Sequence, residues 1–171
     1  MSGLVARLTR RRSRGQTLVE FALVIGIFLV MILALFDFGR AVYGTSSLGN
    51  AARMGARTAI VNQNVGAIRT RAADQAVALG LPSAAVTCST GSPTSAPTPT
   101  GDSGTCVEFR TTDLSGTCTT PHLGCIAVVT TKWTYIPITP VAGQLFGTIS
   151  LTSTSRMPIE SICTSGGCPV P

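Results

Sequence analysis

Nineteen residues, 18–36, carry a single charge, Glu20, and the sixteen from Phe21 to Phe36 carry no polar side chain at all. A helix that crosses a bilayer needs about 20 such residues. Gln16 and Thr17 on one side, with Asp37 and Phe38 on the other, bring the stretch to that length. No proline interrupts it, and Gly26 alone breaks its large-apolar character. The stretch reads as a single-pass transmembrane helix, with membrane lipid as its first partner. A cleaved secretory signal fits less well, because its apolar part is usually about 7–15 residues. The nearest small-x-small site, Gly39-Arg40-Ala41, falls where the helical pattern continues.

Charge gives the span a direction. Residues 1–15 hold Arg7, Arg10, Arg11, Arg12 and Arg14 and no acid, whereas the remainder holds eight bases against seven acids. The basicity belongs to a leader and not to the folded body. Positive charge is retained on the cytoplasmic side. The expected location is therefore the cytoplasmic (inner) membrane, with the N-terminus cytoplasmic and the C-terminus extracytoplasmic. A nucleic-acid-binding face spreads Lys and Arg among stacking aromatics. This sequence has no such face, so nucleic acid is not an expected partner.

Mean hydropathy of +0.40 with 12% charged residues is too apolar for disorder and high for a soluble domain. His122 is the one histidine, which removes two-histidine metal sites and most acid–base relays. No nucleophile–base–acid set can be assembled. The expectation is a non-enzyme with no cofactor, no metal and no small-molecule substrate.

Six cysteines, Cys88, Cys106, Cys118, Cys125, Cys163 and Cys168, all lie in the half placed outside the membrane. An even number there reads as a disulfide framework in an oxidising compartment. Pairing of neighbours, Cys163 with Cys168 especially, is the simplest arrangement among the 15 that six cysteines allow. Zinc at Cys118, His122 and Cys125 is the rival, although no Cys-x-x-Cys pair accompanies them.

Four segments follow. Residues 1–15 are the basic leader, and 16–62 form the transmembrane helix and its extension. Residues 63–87 form a second, amphipathic helix, and 88–171 a disulfide-linked, β-rich head. Beyond the span the helical pattern continues, with Phe38, Val42, Ala52, Ala56 and Ile60 sharing a stripe and Asn50, Arg53 and Arg57 on another face. Gly39, Gly44, Gly49 and Gly55 weaken it, each by about 1 kcal/mol relative to Ala. They suit close approach of a neighbouring helix, from another copy or a partner; a frayed stalk is the alternative. Asn62-Gln63-Asn64 breaks the pattern, and a helix over 65–80 follows, with Ile68, Ala72, Ala76 and Leu79 on one side, ended by Gly80-Leu81-Pro82.

Of the seventeen residues 89–105, fifteen are Ser, Thr, Pro or Gly, which predicts an exposed loop. Pairing of Cys88 with Cys106 would tie its base, worth about 3 kcal/mol. Strands are expected over 126–136, with Val129, Trp133 and Tyr135 on one face, and over 148–157, where Ile149, Leu151 and Met157 alternate with Thr148, Thr152 and Arg156. Residues 107–112 make a plausible third strand. Val141, Leu145 and Phe146 are expected to fold back onto this sheet. The fold class is α+β: a long N-terminal helix, a shorter second helix, and a small antiparallel head stapled by disulfides. So few strands make a marginal core, which is why disulfides are needed.

The junction Arg14-Gly15-Gln16-Thr17-Leu18-Val19-Glu20-Phe21 carries the most specific signal. A glycine ends the leader, and five residues later an acid sits inside the apolar helix. A carboxylate in lipid costs a few kcal/mol unless paired. Cutting after Gly15 would expose the α-amino group of Gln16, which could neutralise Glu20 of a neighbouring subunit at the same depth. Basic leader, Gly, four residues, Glu and then an apolar helix resembles the class III signal of type IV pilins and pseudopilins. Gly15 to Ala22, with Phe36-Asp37-Phe38-Gly39-Arg40-Ala41-Val42-Tyr43 and Asn50-Ala51-Ala52-Arg53-Met54-Gly55-Ala56-Arg57, is similar to the TadE-like family.

That resemblance implies a minor pseudopilin that helps assemble a tight-adherence (Tad) pilus. Its leader would be removed by a prepilin peptidase, and its partners would be other pilins, pseudopilins and the Tad assembly machinery. Gly15, Gln16 and Glu20 would form the processing site, and Glu20, Phe21, Asp37, Gly39 and Arg40 the helix-packing positions. Gln16 departs from the phenylalanine common at the mature N-terminus of type IV pilins, and Phe21 from the tyrosine of many short pilins. The reading from another class is an uncleaved, signal-anchored protein whose head is a binding module. Locally, Asp37 and Arg40 are three apart and can simply pair with each other.

Overall fold

The computed structural model describes residues 2–89, 95–139, 143–144 and 147–163, with side chains from Gly15 onward. Helix α1, Ser2–Val61, runs unbroken for 60 residues. Helix α2, Val65–Gln75, follows. The turn between them is built from amide side chains. Asn62 Oδ1 accepts the Asn64 N–H at 2.9 Å, and Asn64 Oδ1 accepts the Ala67 N–H as the N-cap of α2. The α-helix ends sooner than its sequence pattern, at Gln75, and passes into a 3-10 turn, Val77–Leu79. Gly80, with φ of 63°, closes that turn in the left-handed region.

Among the described residues the head holds five strands: β1 (Cys88–Ser89), β2 (Thr98–Pro99), β3 (Ser103–Arg110), β4 (Ile126–Tyr135) and β5 (Ile149–Pro158). Strands β1 and β2 form a two-stranded ribbon. The main sheet is antiparallel in the order β3-β4-β5, with Val107 opposite Val129 and Trp133 opposite Leu151. The architecture is therefore α+β, as the pattern of elements implied.

The expected loop over 89–105 is partly strand. Thr98 and Pro99 pair with Ser89 and Cys88, β3 begins at Ser103, and Pro99 and Thr105 are fully buried. β-Branched threonines accept strand geometry when a partner is present, and β4 supplies one. Lys132 Nζ donates to Pro99 O and so ties the ribbon to the sheet. Residues 90–94, Val141, Leu145, Phe146 and Cys168 lie outside the described residues.

The main sheet packs along the upper half of α1. Residues of β4 two apart meet the helix in sequence. Trp133 Cζ3 lies 2.9 Å from where a Cβ on Gly44 would stand, and Val129 Cγ1 lies 3.0 Å from the same position on Gly55. Between them Thr131 Oγ1 donates to Leu48 O at 3.1 Å. The close approach at these glycines is thus to the chain's own sheet, and at Gly55 also to Ala72 and Ile68 of α2. The expectation that the glycines serve another copy is corrected at Gly44 and Gly55. Ala56, Ala59, Ile68, Ala127 and Val129 form one apolar cluster, and Leu48, Ala51, Ala72 and Ala76 a second beside it.

Candidate functional site

Two surfaces of α1 carry the functional argument: its bare apolar end and the junction where that end meets the head. From Gly15 to Phe36 the helix is exposed nearly all round, with Leu18, Phe21, Leu23, Ile27, Met31, Leu35 and Phe36 among the uncovered side chains. Gly15–Val61 is long and apolar enough to cross a membrane, and its most apolar window is wholly unburied. An apolar surface all round a helix belongs in lipid or in a bundle of other helices. Glu20 stands exposed on this segment, and the ion pairs at Asp37 and Glu108 do not involve it. Gln16 and Phe21 are exposed too, and nothing among the described residues lies within 4 Å of the space beside Gly15, Gly26 or Gly39. The helix continues through the Gly15–Gln16 bond. Cutting that bond requires local unwinding, which glycine makes easier by about 1 kcal/mol.

Asp37 is the first buried side chain along the helix from Gly15 onward. Its side chain is buried and accepts four hydrogen bonds from the distal end of β4 and the turn after it. Tyr135 Oη donates to one carboxylate oxygen at 2.8 Å, as does the Ile138 N–H at 3.0 Å. The Thr139 N–H at 2.9 Å and Thr139 Oγ1 donate to the other. Tyr135 Oη also lies 2.9 Å from Asp37 O. Burial, and then its bond to the Asp37 carboxylate, push the Tyr135 phenol above its ordinary pKa. The expected Asp37–Arg40 pair is present but long, at 4.0 Å, and Arg40 instead lies over the Tyr135 ring, 5.6 Å from its centroid. Asp37 thus joins helix to head, a role its sequence neighbourhood does not reveal because its partners are about a hundred residues away.

The other end of the helix is joined as firmly. Gln63 donates through Nε2 to Ala59 O and Ser161 O, and its Oε1 accepts the Cys163 N–H at 2.6 Å. The N–H groups of Glu160 and Ser161 reach Ile60 O. Helix-end carbonyls lack intrahelical donors; here Thr58 O accepts the Asn62 N–H, Ala59 O the Gln63 amide, and Ile60 O the two N–H groups of the C-terminal segment. Sequence reading placed a break at 62–64 but gave no sign of this clasp.

Two disulfides join described residues, Cys88–Cys106 and Cys118–Cys125. Cys163 is disulfide-bonded as well, while Cys168 lies outside the described residues. Donor atoms of Cys118, His122 and Cys125 lie within 4.8 Å of one another. Because the two sulfurs are bonded to each other, neither is a thiolate, the form that ligates metal. His122 is exposed, its Nδ1 3.2 Å from Cys125 Sγ.

A small α+β head is built around the upper half of a helix whose lower half is bare, apolar and long enough to cross a membrane. Residues 15–57 match the family model described as TadE-like protein. The match lies wholly within α1, from the glycine before the apolar run to the arginine two residues beyond Gly55. No curated protein and no solved structure matches the chain. The match points to a minor-pilin-like protein associated with a Tad pilus, and TadE-like pilus proteins are structural. One N-terminal apolar helix fits a single-pass membrane protein of such a system.

Proposed function

We propose that the chain is a minor pseudopilin that helps assemble a Tad-type adhesive pilus. In this reading it is inserted with its N-terminus in the cytoplasm and its head outside. A prepilin peptidase cuts it after Gly15. It then assembles with other pilins and pseudopilins through the apolar helix. The observation that carries the proposal is the Gly15–Glu20 spacing at the foot of an exposed apolar helix, within the family match. Cleavage creates a cation at Gln16, and Glu20 is the anion at matching depth on a neighbour. In low dielectric each charge is costly alone and tolerable only when paired. Phe21, Gly39 and Arg40, all exposed on the same helix, are the other positions offered for packing between subunits.

The first test is the intact, unreduced mass and N-terminal residue of the protein extracted from its native membrane. A chain beginning at Gln16, lighter by the six hydrogens of three disulfides, supports the proposal. A chain retaining Met1 in a host with an active prepilin peptidase overturns it and favours an anchored binding module. Glu20→Ala should then abolish pilus assembly while leaving leader removal largely intact; normal piliation would sink the pairing argument.

A further inference from the structure

We propose that the turn after β4, carrying Ile136 and Ile138, is a membrane-docking surface that seats in the interfacial zone of the outer leaflet beside the helix. The inference rests on α1 spanning the bilayer. Counted at about 1.5 Å per residue from Gln16, Asp37 stands roughly 30 Å up the helix, the thickness of the hydrocarbon core. Asp37 therefore lies at the outer boundary. The turn is fixed at that depth because the Asp37 carboxylate accepts the N–H groups of Ile138 and Thr139 as well as the Tyr135 hydroxyl. In this clamped turn Ile136 is 65% exposed and Ile138 68%.

An isolated exposed isoleucine means little. Here two flank Pro137 in one short turn, held at the level where Phe36 and Phe38 of α1 are also uncovered. The surroundings suit the interface and not the hydrocarbon. Arg40, on the next turn of the helix, is half exposed at the height of lipid phosphates, its guanidinium resting on Tyr135. Tyr43 is exposed one turn higher. Apolar side chains at the boundary, with aromatic and cationic groups just above, form the pattern of an interfacial anchor. The turn is bonded to α1 at Asp37, directly above the bare span, so the occupant is the lipid that surrounds the helix. Docked this way, the head gains a second attachment to the membrane, and its tilt is restricted.

The unmodified protein tests this, reconstituted in vesicles of phosphatidylcholine and phosphatidylglycerol doped with a lipid bearing a photoactivated carbene precursor on its acyl chain near the glycerol. The expected result is lipid adducts on residues 136–138 as well as on the helix. Adducts on the helix alone, with 136–138 modified by a water-soluble carbene reagent, would overturn the docking surface while leaving the span intact. Protection of the turn from both reagents would also overturn it, giving the patch to another protein chain. Loss of adducts along the helix would overturn the membrane-spanning reading itself. In Asp37→Ala, adducts on the turn should fall several-fold against those on the helix. Unchanged labelling would show that Asp37 does not set the turn's depth.

Discussion

The lower and upper halves of α1 belong to one uninterrupted helix, yet they meet different surroundings. Below Asp37 the large apolar side chains are uncovered, whereas above it small residues are buried: Ala51, Ala52, Ala56 and Ala59 have no exposure. The sizes follow from what each half must touch. Lipid is fluid and accommodates any bulky surface, so the lower half carries Leu, Ile and Phe. A folded sheet approaches at a fixed distance, so the upper half carries Ala and Gly where β4 passes. The change begins at Asp37, the buried acid that fastens helix to head, and is complete a few turns higher, since Phe38, Val42 and Tyr43 are still exposed.

Glycine substitutions test this comparison most severely. Gly55→Leu would place a branched side chain against Val129, 3.0 Å from the new Cβ, with Ala72 and Ile68 close behind. Overpacking at a site enclosed by two elements should cost about 3 kcal/mol, read as a lowered unfolding midpoint by Trp133 fluorescence in detergent. Gly26→Leu has nothing within 4 Å among the described residues, so its head should unfold within about 0.5 kcal/mol of the parent. Equal effects of the two substitutions would mean that the halves are not energetically distinct.

Asp37→Ala comes next. Four donors lose their acceptor, and each buried unsatisfied group costs about 1–3 kcal/mol. The turn carrying Ile136 and Ile138 lies at the end of the head, where water can replace part of what is lost. The expected destabilisation is therefore about 2 kcal/mol, less than at Gly55. Asp37→Asn should recover some of it, because its amide oxygen still accepts. A loss as small as that of Gly26→Leu would show that the junction is held by packing alone.

Much of this layout was legible in the sequence wherever the signal is local. The apolar run, the Asn62-Gln63-Asn64 break and the alternation of β5 each depend on a few successive residues, and the fold class followed from them. Pairing between distant segments left no such trace. Thr98 and Pro99 look like loop until a partner strand reaches them. A proline at the margin of a small ribbon forgoes a donor that the main sheet never needed. Asp37 offered one neighbour within a helical turn, Arg40, while its principal partners arrive from 98 to 102 residues away. At Gly44 and Gly55 the need for close approach was readable from the residue type, but the identity of the approaching element was not.

The smallest expected effect concerns Asp113, exposed in the connection between β3 and β4. Bonds from Ser115 Oγ, Thr111 Oγ1 and the Ser115 N–H hold its carboxyl down to about 2 from the usual 3.8. A depressed folded-state value means that the charged form is favoured by folding. Its contribution is fully present above the unfolded value near 4 and is lost as pH falls through about 2. The carboxyl is open to solvent, so the effect on global stability should be slight. It should appear instead in the side-chain carboxyl chemical shift of Asp113, titrating near 2, and in faster amide exchange at Ser115 and Gly116 below that pH. Asp113→Asn should remove the acid dependence of the turn and leave the unfolding midpoint nearly unchanged. A midpoint shift as large as that of Asp37→Ala would contradict the division drawn here, in which buried polar groups at the helix hold the head and exposed ones in its turns do not.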